Sequence, residues 1–128
     1  MARAYTVATA ALAINVPAKW IDNVLSHFTI PGVEQARQGI RRRLTEEALL
    51  ILELAHELND NLATPLAASV RIAETLLRSG RYPISDHTLL AANVETLRQT
   101  LAVRLAAAVE VAPIPRRGRP PKRTGRLD

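Results

Sequence analysis

Cysteine is absent from the 128 residues, and aromatic side chains are scarce, with one Trp, two Tyr and one Phe. Without cysteine the chain can form no disulfide, no thiolate metal site and no thiol redox switch. So few rings argue against a single-strand nucleic-acid binder, because such proteins stack bases on aromatic platforms. No apolar run approaches the roughly 18 residues that cross a membrane. With no recognisable signal peptide either, we expect a cytoplasmic protein that does not engage a membrane.

Patterns that would support catalysis or metal binding are also missing. His27, His56 and His87 lie in three separate segments without the spacing of metal ligands. The chain contains no phosphate-cradling glycine loop, no nucleophile–base pair and no paired acids in a pocket context. We therefore expect no enzyme, no cofactor, no metal and no small-molecule ligand.

Positive charge is concentrated in the last sixteen residues, 113–128. This tail holds six of the seventeen Lys and Arg and one of the twelve Asp and Glu, which leaves eleven of each sign in the first 112 residues. The tail has almost nothing to bury, so we expect it to be disordered in isolation. A basic arm on a neutral body is a common arrangement in nucleic-acid-binding proteins.

The centre of the tail reads Arg117-Gly118-Arg119-Pro120. Gly118 allows close approach to another surface, the prolines favour an extended chain, and arginine is attracted into a narrow A·T minor groove. This core resembles the AT-hook, a short motif that binds A·T-rich DNA, although Arg116 stands where the fuller motif prefers proline. A generic basic tail that contacts phosphates is the alternative. The resemblance implies that the DNA-binding residues of the tail are Arg116, Arg117, Gly118, Arg119, Pro120, Lys122 and Arg123.

The first 112 residues read as a mainly α body. Thr6 is a suitable N-cap for a short helix that ends at Ile14, and Asn15-Val16-Pro17 breaks it. A second helix is expected from Ala18 to about His27. Two short helices with a three-residue turn are the outline of a helix-turn-helix. Breakers and arginines between residues 28 and 44 then favour a small hairpin or wing.

Two further helices have clear local signals. Thr45 is expected to cap a helix that runs to about Asn59. Thr64 and Pro65 then have the residue types of an N-cap and a first helical position, and Gly80 is suited to close that helix.

The last predicted helix starts at Ser85 or Asp86 and continues to about Val111. Its apolar residues follow a 4-3-4 spacing, as in a coiled-coil seam. We expect this helix, residues 85–112, to form a homodimer; the alternative is that it folds back over the first four helices. The seam consists of Leu90, Val94, Leu97 and Leu101.

Residues 5 to about 77 carry a further pattern. Tyr5 and Val7 form an aromatic–hydrophobic pair before the first helix, and Ala11 is small where two helices would cross. Ile21 occupies an apolar position in the second helix, and Thr45-Glu46-Glu47 follows an arginine-rich segment. This order resembles the DNA-binding region of the MerR superfamily, a winged helix-turn-helix. The resemblance implies a DNA-binding domain over residues 1–80.

The resemblance also implies a division of roles. The second helix would enter the major groove with Lys19 and Asn23, and Asp22 stands where the family often carries arginine. An aspartate can accept a hydrogen bond from cytosine N4, but it repels phosphates. Phosphates would be held by four wing residues, Arg37, Arg41, Arg42 and Arg43.

The expected protein is thus a mainly α winged helix-turn-helix with a small wing, a long C-terminal helix and a disordered basic tail. Its expected partner is A·T-rich double-stranded DNA, and its expected place is the bacterial nucleoid, as a transcription regulator or an architectural protein. A helical protein-interaction module is the alternative, with a tail that only solubilises the chain or binds RNA.

Overall fold

The structure, a computed structural model, describes residues 3–34 and 42–111. Within those ranges the chain is mainly helical, with five α-helices and two small sheets. In chain order the elements are β1 (Ala4–Tyr5), α1 (Val7–Ile14), α2 (Ala18–His27), β2 (Val33–Glu34), β3 (Arg43–Thr45), α3 (Glu46–Asn61), α4 (Leu66–Ser79), β4 (Arg81–Ser85), β5 (Thr88–Ala91) and α5 (Val94–Val111).

The first two helices have the predicted bounds, and local chemistry accounts for them. The Thr6 hydroxyl accepts a hydrogen bond from the backbone N–H of Thr9 at 3.2 Å, as expected of an N-cap. Asn15 ends α1 in the left-handed conformation, at a φ of 60°, which asparagine adopts more readily than most residues. Pro17 lies at the N-cap of α2.

The predicted hairpin between residues 28 and 44 is present at its base. Strands β2 and β3 are antiparallel, with Val33 opposite Leu44 and Glu34 opposite Arg43. Strand β1 pairs with the other edge of β3, which gives a three-stranded sheet in the order β1-β3-β2. Leu44 is fully buried, so the middle strand anchors the sheet to the core.

Gly32 joins this sheet to the start of α3. Its carbonyl accepts hydrogen bonds from both the backbone N–H and the hydroxyl of Thr45, at 2.9 and 3.0 Å. Thr45 in turn caps α3, because its hydroxyl accepts from the N–H of Ala48 at 3.5 Å. Gly32 has a φ of +89°, and a Cβ there would overlap the Thr45 hydroxyl and lie 3.0 Å from the Ala48 nitrogen. Only glycine fits this position without displacing the cap.

Helix α3 is the centre of the core. Residues 49–52 are four consecutive apolar side chains, each at most 1% exposed. A helix that buries consecutive residues has no solvent face at that level and must be covered from all sides. The other four helices supply the cover, through buried side chains that include Ile14, Ile21, Val24, Val70, Ala73, Leu101 and Leu105.

Helix α4 starts one residue later than the cap prediction. Pro65, not Thr64, is the N-cap, and its carbonyl accepts from the N–H of Ser69 at 2.8 Å. The Thr64 carbonyl is used differently, since it accepts from the Asn59 side chain at 2.8 Å and thereby ties the loop to α3. Gly80 closes α4 in the left-handed conformation, as predicted.

The prediction that a helix starts at Ser85 or Asp86 is wrong. Residues 81–91 form an antiparallel hairpin, β4–β5, and α5 begins only at Val94. The Ser85 hydroxyl accepts from the backbone N–H of His87 and helps to make the turn. Asn93 is the effective helix cap, because its side-chain oxygen accepts from the N–H of Thr96 at 3.0 Å. A short apolar run such as residues 89–92 fits a strand as well as a helix, and here pairing with β4 decides.

The four residues of the predicted dimerisation seam do not all lie on one helix. Leu90 lies in strand β5 and Val94 is the first residue of α5, while Leu97 is half-buried and Leu101 fully buried within the chain. Helix α5 instead packs along α1 and against α3, which is the alternative that the sequence left open. Homodimerisation remains a prediction, but these four leucine and valine positions no longer support it.

Two ion pairs fasten α5 to α3. The Arg98 and Glu46 side chains are 3.2 Å apart, and those of Arg104 and Glu53 are 2.6 Å apart. The second pair is the more enclosed, since the Glu53 side chain is only 18% exposed. Both pairs cross the same helix interface, but the Arg98–Glu46 pair, with side chains 43% and 46% exposed, contributes only about 0–1 kcal/mol.

The Gly32 junction can be tested by comparing two left-handed glycines. We expect Gly32→Ala to lower the free energy of unfolding by roughly 2–4 kcal/mol, because the new Cβ displaces the Thr45 cap and strains the backbone. Gly80→Ala is the matched control, since its Cβ would meet only the Ala92 carbonyl oxygen, at 3.6 Å. It should cost about 1–2 kcal/mol, the strain alone. Urea denaturation of both variants checks this, and equal losses would contradict the proposed clash.

The docking of α5 predicts a contrast between Leu101 and Val103. Leu101→Ala should lower the free energy of unfolding by about 2–5 kcal/mol, because it leaves a cavity in the core. Val103 is 72% exposed, so Val103→Ala should change it by less than about 0.5 kcal/mol. Chemical denaturation at two protein concentrations is the measurement. A Leu101→Ala loss that grows on dilution would indicate an intermolecular seam instead.

Candidate nucleic-acid interface

Helix α2 presents one continuous polar face to solvent. Lys19, Asp22, Asn23 and Ser26 are all exposed and follow one another at helical spacing. We refer to these four residues as the α2 polar face. On the opposite side Ile21 and Val24 are completely buried. The helix therefore separates a core side from a side that is available to a ligand.

Packing against α3 holds the α2 polar face in place. Trp20 is half-buried, and its ring meets the His56 ring edge-on, with centroids 5.0 Å apart. Such edge-to-face geometry is favourable between aromatic rings. Trp20 thus lies against the core and serves to position α2. A side-chain array on a packed helix keeps its geometry better than one on a loop.

An ion pair connects the α2 polar face to the three-stranded sheet. Arg42, immediately before β3, places its Nη1 atom 3.4 Å from Oδ1 of Asp22. The Asp22 side chain is 55% exposed and that of Arg42 26% exposed. A pair this accessible to solvent stabilises a fold by only about 0–1 kcal/mol. A ligand can therefore replace the contact between Arg42 and Asp22 at little cost in stability.

The four predicted wing arginines have different outcomes. Arg42 is placed beside α2, and Arg43 is an exposed residue of β3, with Glu34 directly across on β2. Arg37 and Arg41 lie outside the described residues. The described part of the predicted wing therefore carries two cations: Arg42, ion-paired with Asp22, and the exposed Arg43, whose cross-strand neighbour is Glu34.

Every predicted site residue in the tail lies outside the described residues. Their role remains the expectation that the sequence supplies. These residues are Arg116, Arg117, Gly118, Arg119, Pro120, Lys122 and Arg123.

Sequence reasoning missed Ser26 and the contact between Asp22 and Arg42. Ser26 lies seven positions after Lys19, so helical periodicity alone could have assigned it to the same face. Its hydroxyl donates to the backbone carbonyl of Asp22 at 2.8 Å and keeps its lone pairs for a ligand. The Asp22–Arg42 contact joins residues twenty positions apart, and no local signal predicts it.

The described residues show no group of three or more His, Asp or Glu side chains placed to hold a metal ion. No helix in the described part of the chain is long and apolar enough to cross a membrane.

Comparisons of the chain with protein-family models, with curated proteins and with solved structures found no match. The likeness to the MerR superfamily therefore rests on the residues quoted above and remains a prediction. What the structure establishes is a mainly helical body that carries the α2 polar face beside a small sheet.

The exposure of the Asp22–Arg42 pair predicts a small role in stability. Asp22→Ala and Arg42→Ala should each change the free energy of unfolding by less than about 1 kcal/mol. A double-mutant cycle in urea should give a coupling energy in the same range. A coupling well above that range would mean that the pair is a structural clamp and not an open, exchangeable contact.

Proposed function

We propose that this protein binds double-stranded DNA as a winged helix-turn-helix, with α2 as the recognition helix and the β2–β3 hairpin as the wing. The observation that carries the proposal is the contact between Arg42 and Asp22, which lie 3.4 Å apart. Because of it, the base of the hairpin borders the exposed face of a short, rigidly packed helix. The element order from β1 to α4 also agrees with the order that the MerR resemblance implies.

The chemistry of the α2 polar face suits a major groove. Asn23 can bond adenine through N6 and N7, Lys19 can bond guanine or phosphate, and the Ser26 hydroxyl can accept from a base-edge amine. Arg43, exposed on β3 directly after Arg42, would contact a phosphate. Backbone contacts of this kind set position and orientation, while contacts to base edges select sequence.

Affinity is expected to depend heavily on the tail, because the first 112 residues carry no net charge. Residues 113–128 would enter a neighbouring A·T minor groove through Arg117-Gly118-Arg119. Sixteen extended residues span up to about 50 Å at ~3.1 Å each, which is enough to cross a groove. Tethering raises the effective concentration of the second contact and so strengthens the first. Such a protein would serve the bacterial nucleoid as a regulator or an architectural component.

The test measures binding of the full chain to A·T-rich and G·C-rich duplexes across a salt series. Replacing Lys19 and Arg43 together by Ala should weaken binding to both duplexes and reduce the slope of log K against log salt by about 0.9 per lost phosphate contact. Replacing Arg117 and Arg119 by Ala should remove the preference for A·T-rich DNA.

The control for this test is a second pair of exposed basic residues. Arg71 on α4 and Arg81 on β4 belong neither to the α2 polar face nor to the β2–β3 hairpin, and their replacement by Ala removes the same charge. The control should lose little affinity. If it loses as much as the Lys19 and Arg43 variant, binding is a matter of net charge alone, and the recognition helix has no special part in it.

A protein-interaction module is the second candidate, and the β4–β5 hairpin favours it. Ile84 and Leu89 are 57% and 50% exposed on a two-stranded sheet, and exposed apolar groups on a strand invite pairing with another chain. Under this alternative the full chain binds neither duplex at low salt. RNA binding by the tail is the third possibility. Competition by duplex RNA distinguishes it from DNA binding, since A-form grooves do not suit an AT-hook.

A further inference from the structure

Asp22 stands at the centre of the α2 polar face, where a carboxylate opposes DNA binding unless a donor meets it. Its neighbours on the face are Lys19, Asn23 and Ser26, and its side chain is 55% exposed. Facing phosphates, this carboxylate is repelled. Its presence is therefore favourable only where the groove offers a hydrogen-bond donor. A carboxylate in this position lowers the affinity for most DNA sequences, except for those that present a hydrogen-bond donor to it.

The major groove offers few such donors. Guanine and thymine present acceptors there, and adenine presents its N6 amine beside the N7 acceptor, whereas cytosine presents its N4 amine without a neighbouring acceptor. A carboxylate is therefore best matched by cytosine. The partner of that cytosine is guanine, whose O6 and N7 acceptors are the preferred target of an arginine.

The structure places a carboxylate and a guanidinium side by side on this surface. Arg42 contacts Oδ1 of Asp22 through Nη1, and among the described residues no other hydrogen bond is made by the Asp22 carboxylate. With the Asp22 side chain 55% exposed, its carboxylate is accessible to the N4 amine. The guanidinium carries further N–H groups that the contact does not use. Arg42 also neutralises Asp22, which reduces the repulsion by nearby phosphates.

We propose that Asp22 and Arg42 act as one specificity element that reads a C·G base pair, Asp22 accepting from cytosine N4 and Arg42 donating to guanine O6 and N7. This inference rests on the proposed DNA-binding function and assigns it a base. It gives Arg42 a different part from the phosphate contact that the sequence predicted, and it leaves phosphate contact to Arg43. It also turns the departure at Asp22 into the feature that distinguishes this recognition helix.

The first experiment is selection of duplexes from a randomised pool by the full chain at one salt concentration. The wild-type protein should enrich a motif in which one position is fixed as C·G. Exchange of that pair for T·A should weaken binding by about 5- to 150-fold, the range of a well-made base contact. Asp22→Ala should lose the preference at this position and keep the rest of the motif. Asp22→Asn should shift it toward adenine, which an amide can bond twice.

The matched control is Asp60→Ala, which removes the same side chain from an exposed position on α3. It should enrich the wild-type motif. Thermal melting of the Asp22 variants shows whether they remain folded. If Asp22→Ala and Asp22→Asn both retain the C·G preference, or if folded Asp22→Ala loses selectivity at every position alike, the assignment is wrong.

A second measurement leaves the protein unchanged and alters the DNA. In a paired N4-methylcytosine the remaining N–H bonds guanine, so the methyl group takes the place of the donor in the major groove. Placing it in the selected pair should weaken wild-type binding by about 5-fold or more and leave Asp22→Ala unaffected. Equal effects on both proteins would overturn the assignment.

The outcomes separate this inference from the proposed function. A wild-type chain that binds duplexes but fixes no C·G position leaves DNA binding intact and overturns the role of Asp22 and Arg42. A chain that binds no duplex overturns both.

Discussion

The arrangement of the molecule depends on one constraint, the complete burial of the middle of α3. Residues 49–52 are all apolar and at most 1% exposed, so no side of the helix can face water at that level. A helix of this kind is stable only when other elements surround it. Each of the remaining helices contributes buried apolar side chains to the core around α3.

This constraint also determines what is left on the surface. Helix α2 buries Ile21 and Val24 and so presents the α2 polar face outward. Helix α5 directs Leu101 and Leu105 into the core, which removes them from any intermolecular seam. The β4–β5 hairpin packs Tyr82 and Leu90 against the core, but Ile84 and Leu89 near its turn remain exposed. The polar face of α2 and the tip of this hairpin are thus two of the surfaces that the described residues leave open to partners.

The distribution of charge suggests a separation between strength and selectivity of binding. In the described part of the candidate interface, Arg42 lies beside Asp22 and Arg43 lies opposite Glu34. Arg42 is ion-paired and therefore contributes modestly to non-specific attraction. The excess of positive charge is in residues 113–128. In the proposed function the tail supplies most of the affinity, while the Asp22–Arg42 pair lowers the affinity for DNA that presents other bases.

The sequence by itself determined the features that depend on neighbouring residues: the Thr6 and Thr45 caps, the left-handed Asn15 and the helix stop at Gly80. Each follows from backbone hydrogen bonding within a few positions. The exposed Lys19 and Asn23 of the candidate site could also be predicted, because helical periodicity assigns their face. Tertiary structure alone decided that residues 88–91 pair as a strand, that Leu101 faces the core, and that Arg42 meets Asp22. A short apolar run satisfies a strand or a helix equally well until a second strand pairs with it, as β4 does here. The direction of Leu101 depends on how α5 packs along α1 and against α3, and an ion pair across twenty residues has no local signal, so only the contacts between whole elements could settle these features.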